Sequence, residues 1–107
     1  MARKQVLVVG LGRFGSNVAR TLFQQGHDVL AIDTEDSLVQ EIMGHSTFAV
    51  KADGTNEAAL RELGVADFDA AVIAIGSNIQ ASILGTVLLK SLGVPYIVTR
   101  ARNQLHG

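Results

Sequence analysis

Val6-Leu7-Val8-Val9-Gly10-Leu11-Gly12-Arg13-Phe14-Gly15 is the stretch on which the fold turns. Its first four residues are a continuous apolar run rich in β-branched side chains, which predicts a strand over 6–9 that is buried on both faces. A G-x-G-x-x-G loop follows at once. Beyond it, Phe14, Val18, Leu22 and Phe23 recur at helical spacing over 13–25 until Gly26 ends the segment. Alone, the glycine pattern is a weak signal; between a buried strand and an amphipathic helix it has a mechanical reading. Gly10 permits the tight turn, Gly12 lets the backbone approach a pyrophosphate, and Gly15 lets the helix pack closely on the strand. The unpaired amides of the first helical turn and the helix dipole then favour a phosphate.

Working outward, a second apolar run over 29–32 closes on Asp33, about 20 residues after the glycine loop, where a ribose-binding carboxylate is expected. A carboxylate there accepts hydrogen bonds from ribose hydroxyls and repels a 2′-phosphate, which disfavours NADP. The competing role for Asp33 is to cap the next turn. Asp36 or Ser37 can cap a helix carrying Leu38, Val39, Ile42 and Met43, which Gly44 stops. A weaker strand over 47–50 leads to the turn Asp53-Gly54-Thr55 and a helix bearing Ala58, Ala59, Leu60 and Leu63 up to Gly64. The most hydrophobic strand, over 70–75, is followed by Gly76-Ser77-Asn78. These open a long helix with Ile79, Ile83, Leu84, Val87, Leu88 and Leu92 on one side. Gly85 within that helix implies close packing of another backbone. Gly93-Val94-Pro95 breaks the helix before a fifth strand over 96–99.

Strands alternating with helices predict an α/β fold: a doubly wound, Rossmann-like parallel sheet with right-handed crossovers and helices on both faces. Five strands are visible where a full sheet of this kind has six. Residues 1–107 are therefore expected to be one domain and a fragment of a longer chain. With 48% apolar and 18% charged residues, the chain is no disordered segment. A net charge of -1, with Lys and Arg scattered, gives no basic face, so no nucleic-acid partner is expected. The absence of cysteine excludes disulfides, thiolate metal sites and a cysteine nucleophile, and no metal site is expected. The apolar run after Met1-Ala2-Arg3-Lys4 is too short for a signal peptide. No stretch approaches the ~20 apolar residues of a membrane span, so a cytoplasmic domain is expected.

The loops at the carboxyl edge of the sheet, where open α/β folds bind ligands, supply the candidate site. They carry Gly10, Gly12, Arg13, Phe14 and Gly15, then Asp33 and Thr34, then Asp53, Gly54 and Thr55. Ile75, Gly76, Ser77, Asn78, Arg100 and His106 complete the set. A cation at a helix N-terminus is unfavourable without an anion, so Arg13 is read as a phosphate ligand rather than a solvated side chain. Asp53 can reach an adenine amino group. Ser77 and the Gly76 backbone can line the ribose side, and Arg100 is a second cation. Catalytic machinery is missing. His27 and His45 fall at helix ends on the amino-terminal side as solvated caps, His106 alone makes no acid–base system, and nothing marks Lys51 as a base. These features bind a nucleotide without transforming it, which predicts no enzyme. The alternatives are the cofactor half of an NAD-dependent dehydrogenase and a permanently NAD-bound structural domain. The stripe of Ile79, Ile83 and Val87 fits a dimer-forming helix and ordinary core packing equally well.

These residues together resemble the KTN domain, the TrkA-N type N-terminal part of RCK domains that regulate potassium transport, and most closely its Ktr-type gating subunits. Three stretches carry the resemblance: Val8-Val9-Gly10-Leu11-Gly12-Arg13-Phe14-Gly15, then Ala31-Ile32-Asp33, then Ala71-Val72-Ile73-Ala74-Ile75-Gly76 running on through Ser77-Asn78-Ile79-Gln80-Ala81-Ser82. The resemblance implies binding of ATP, ADP or NAD(H). It also implies a homodimer assembling into a ring on the cytoplasmic face of a membrane potassium-translocating subunit, with nucleotide exchange changing the ring's shape. Nucleotide contacts are implied for Arg13, Asp33, Asp53, Gly54, Ile75, Gly76, Ser77, Arg100 and His106, with Arg13 reaching the terminal phosphate of ATP. Arg100 and Arg102 depart from the lysine and glutamine expected there. The family's sixth strand, an acidic cation-binding residue and the C-terminal ligand-binding half would lie past Gly107.

Overall fold

The computed structural model describes residues 3–76 and 78–101. Its strands are β1 (Gln5–Val9), β2 (Asp28–Asp33), β3 (Phe48–Lys51), β4 (Ala70–Gly76) and β5 (Tyr96–Ala101). Between them lie helices α1 (Arg13–Gln24), α2 (Asp36–Ile42), α3 (Glu57–Glu62) and α4 (Ile79–Ser91), with a 3₁₀ turn at Val65–Asp67 that the sequence pattern did not announce. All five strands are parallel, in the order β3-β2-β1-β4-β5. β1 is central: Val9 pairs with Ile32 on one side and Ile73 on the other. The chain winds outward from β1 through β2 to β3, then crosses over to β4 and β5. At that reversal the loops leaving β1 and β4 part, and a crevice opens at the carboxyl ends of the strands.

Alternate residues of each central strand feed two cores. Leu7, Val9, Leu30, Ile32 and Ile73 pack with Leu60 of α3 and Leu89 of α4. Val6, Val8, Val29 and Ala31 pack on the opposite face with Ala19 of α1 and with Val39 and Ile42 of α2. Burial on both faces is why β1 and β2 read as unbroken apolar runs rather than alternating ones. Each valine, leucine or isoleucine side chain buried this way contributes roughly 1.5–3 kcal/mol relative to exposure.

α4 departs from the expectation. Ile79, Ile83, Leu84 and Val87 are turned outward, at 50%, 59%, 47% and 57% exposure, while Ser82, Gly85 and Leu89 face the sheet. Of the expected stripe, only Leu88 and Leu92 pack partly against the core. The helix is apolar nearly all round, so its pattern carries little directional information, and close approach selects its smallest residues. Core packing therefore does not account for the Ile79, Ile83 and Val87 stripe. A Cβ at Gly85 would stand 3.5 Å from both the Gly54 carbonyl oxygen and Ile73 Cδ1, which is ordinary contact. Gly85→Ala should therefore stabilise the protein by up to about 1 kcal/mol through helix propensity. That would raise the melting temperature by roughly 4–8 °C; a lower melting temperature would contradict the packing described.

Smaller differences have similar causes. α1 meets the sheet through Gly15 and Ala19, leaving Phe14 and Phe23 more than a third exposed. Neither Asp36 nor Ser37 caps α2. Its N-cap is Glu35, whose side chain makes no capping bond, and Asp33 Oδ1 accepts the Glu35 N–H at 2.8 Å instead. His27 is no solvated cap either: it is half-buried, and its Nδ1 accepts the Lys4 backbone N–H at 3.1 Å, tying the entries of β1 and β2 together.

Candidate functional site

The glycine loop is held by its own backbone. Gly10 has φ +96°, and its amide donates to the Ile32 carbonyl at 2.9 Å. A Cβ here would overlap the Ala74 carbonyl and stand 3.2 Å from the Ile75 nitrogen, so β4 leaves no room for a side chain. Gly15 is tighter still, because its Cβ would collide with the Gly10 carbonyl oxygen and approach Ala74 Cβ to 3.3 Å. Gly12 is the opposite case, with nothing within 4 Å of its would-be Cβ. Two of the three glycines are thus demanded by the protein's own packing. The third faces open space, as close approach of a ligand requires.

Helical bonding in α1 begins at Ser16, whose N–H reaches the Gly12 carbonyl at 2.9 Å. The amides of Arg13, Phe14 and Gly15 precede it and have no intrahelical acceptor. They form a donor cluster at the positive end of the helix dipole. No acidic residue occupies that first turn to neutralise it.

Asp33 joins two parts of this edge. Its Oδ2 accepts the Leu11 N–H at 2.7 Å, while Oδ1 accepts the Glu35 N–H at 2.8 Å. The turn-capping role is therefore real, and the carboxylate also braces the glycine loop across 22 residues of sequence. An ionised carboxylate offers about four acceptor positions, so two remain for further donors.

The flanking loops close the edge. Asp53 Oδ1 accepts from both the backbone N–H and the hydroxyl of Thr55, at 2.8 and 2.6 Å, and Gly54 is buried against Val9. Across the sheet, the Arg100 guanidinium carbon lies 4.3 Å from the centroid of the Phe14 ring. Arg13, Phe14 and Arg100 are all exposed. Among the described residues, neither Arg13 nor Arg100 is paired with a carboxylate.

These groups line one cleft of about 1140 Å³, reached by Gly10, Gly12, Arg13, Phe14, Asp33 and Thr34. Its far walls are Asp53, Gly54, Thr55, Ile75, Gly76, Asn78 and Arg100. It is polarised: the carboxylates stand over β2 and β3, whereas the arginines and the α1 amides stand over β1 and β5. Gly15 does not line the cleft and acts beneath it. The expectations for Ser77 and His106 lie outside the described residues.

A family model for the TrkA-N domain matches residues 6–107. The chain belongs to the TrkA-N domain family. It is 45% identical over 103 residues to the Ktr system potassium uptake protein A of Bacillus subtilis, covering 96% of this chain and 46% of that protein. It is 43% identical over 104 residues to the Ktr system potassium uptake protein C of the same organism, covering 97% and 47%. The chain thus spans about half the length of the curated relatives it matches. Among solved structures, the NAD(P)-binding domain of an exopolyphosphatase-related protein from Archaeoglobus fulgidus has the same fold. That match has a TM-score of 0.81 at 26% identity, covering 96% of this chain and 77% of that one.

In this TrkA-N domain the cleft also includes Asn17, Leu38 and Ala81, which sequence reasoning did not single out. Asn17 lies four residues after Arg13 and so shares its helix face, a spacing that could have placed it. Leu38 and Ala81 come from the first turns of α2 and α4, and only the assembled sheet brings them near. The two bonds from Thr55, the hydroxyl's foremost, hold the Asp53 carboxyl below the usual carboxylate range, against the smaller opposing effect of burial. Asp53 is therefore an anion throughout the neutral range. Among the described residues of this TrkA-N domain no helix is long and apolar enough to cross a membrane.

Proposed function

We propose that this TrkA-N domain is the nucleotide-sensing part of a regulatory, non-catalytic subunit of a potassium transport system. It takes ATP or ADP, or NAD(H), in the cleft and transmits occupancy as a change of shape. The observation that carries this reading is the convergence of the first-turn residues Arg13 and Phe14, with their free amides, Arg100 and the spare acceptors of Asp33 on one crevice. The α1 amides and Arg13 hold phosphates, and Asp33 takes ribose hydroxyls. Asp53 and Thr55 lie at the β3 side, where the base would rest. The names of the Ktr relatives support potassium uptake as the setting and a membrane potassium-translocating subunit as the partner, which would place the domain on the cytoplasmic side. The outward face of α4, with Ile79, Ile83, Leu84 and Val87, supports a homodimer that builds into a ring.

A nucleotide shifts such an assembly only by binding two shapes with different affinity. Arg13 supplies that difference by contacting a third phosphate. Calorimetric titration of the wild-type chain should show ATP and ADP binding with NADPH excluded. Arg13→Ala should weaken ATP by roughly 10-fold or more, the worth of one charge-assisted bond, and ADP by clearly less. Equal losses for the two would remove Arg13 as the sensor. Tight NADH with negligible ATP binding would instead favour a dehydrogenase cofactor half or a permanently NAD-bound domain.

A further inference from the structure

We infer that Phe14 is a positioning residue: its ring carries the Arg100 guanidinium at the phosphate end of the cleft. The inference rests on the nucleotide-binding reading above and adds to it a role for an aromatic side chain that the core does not use. Phe14 sits in the first turn of α1 and is 37% exposed, while the helix meets the sheet through Gly15 and Ala19. Its ring instead lies under Arg100, 4.3 Å from guanidinium carbon to ring centroid. Both side chains line the same cleft as Arg13 and Gly12.

The electrostatics explain why such a support is needed. Arg100 stands near the end of β5, an edge strand that pairs with β4 alone among the described strands. A long side chain there has many rotamers, and the positive end of α1 together with Arg13 repels it from the phosphate region. Among the described residues no carboxylate draws it back. The negative face of the Phe14 ring attracts the guanidinium and leaves its N–H edge free to donate. Phe14 thereby offers a cation from the sheet edge to a phosphate chain held by the α1 amides, opposite Arg13. The ligand class that benefits is a nucleoside di- or triphosphate; an uncharged nucleoside gains nothing from it.

The test is calorimetric titration of the chain with ATP, ADP and adenosine for wild type, Phe14→Leu, Phe14→Trp, Arg100→Ala and the Phe14→Leu/Arg100→Ala double variant, each checked for folding by its melting curve. Phe14→Leu keeps apolar bulk but removes the ring, and should weaken ATP and ADP about 3-fold, the scale of an exposed cation–π contact. Adenosine binding should not change, and Phe14→Trp should restore the affinity. The double variant should be no weaker than Arg100→Ala, because Phe14 acts through Arg100. Unchanged ATP affinity in Phe14→Leu, or additive losses in the double variant, would overturn the inference while leaving nucleotide binding intact. Failure of the wild type to bind any of these phosphates would overturn both readings.

Discussion

Gly15→Ala should lower the melting temperature by on the order of 15 °C and remove most nucleotide affinity. The added methyl would sit inside the Gly10 carbonyl oxygen and 3.3 Å from Ala74 Cβ, both parts of the sheet edge rather than flexible side-chain ends. Relief therefore requires α1 to move bodily off the sheet. Overpacking of this kind costs about 3 kcal/mol, and for a domain of this size each kcal/mol is worth roughly 4–8 °C. The same displacement carries the Arg13 and Phe14 amides away from the cleft. Loss of one or two charge-assisted bonds corresponds to roughly 10- to 100-fold in affinity for ATP. Thermal unfolding and calorimetry on one preparation separate the two effects. An alanine variant with wild-type melting and binding would show that the loop does not pack as described.

The second large effect is expected at Asp33. In Asp33→Ala the Leu11 amide, next to a side chain only 2% exposed, loses its 2.7 Å acceptor, and the start of α2 loses its brace. A buried donor left unpaired costs about 1–3 kcal/mol, so the loop loosens even without ligand. With the ribose acceptors gone as well, affinity for ADP or NADH should fall by roughly 100-fold. Asp33→Asn removes the charge together with one of the two acceptor oxygens, so one of the Leu11 and Glu35 N–H groups loses its partner, but the amide no longer repels a 2′-phosphate. The ratio of NADH to NADPH affinity should therefore fall towards one in Asp33→Asn. A ratio unchanged from wild type would mean that Asp33 is a structural brace and not a ribose ligand.

Much of this site was readable from local sequence because its parts are local chemistry. A buried strand, three spaced glycines and a helix in succession give a tight turn with free amides at a helix start, and an aspartate at the end of the next strand falls beside it. The double role of Asp33 was half readable. Its bond to Glu35 lies two residues away, whereas its bond to Leu11 spans 22 and exists only because β1 and β2 pair in register. The Phe14–Arg100 stack spans 86 residues and left no mark in the sequence pattern. It depends on β5 lying beside β4, two strands across from β1, after which α1 starts.

Strand and helix order, the parallel sheet and the ring of loops at its carboxyl edge all follow from periodicity and turn residues. These act over a few positions and are stated in the chain itself. The facing of α4 does not follow from them. A helix apolar on nearly every side has no preferred face until the sheet and the Gly54 loop select the one that approaches closest. That selection buried Ser82 and Gly85 and turned Ile79, Ile83 and Val87 to the surface. The carboxylates gathered over β2 and β3, and the cations over β1 and β5, likewise come from residues far apart in the chain. Strand order alone sets that polarity, because it decides which loop ends share one crevice.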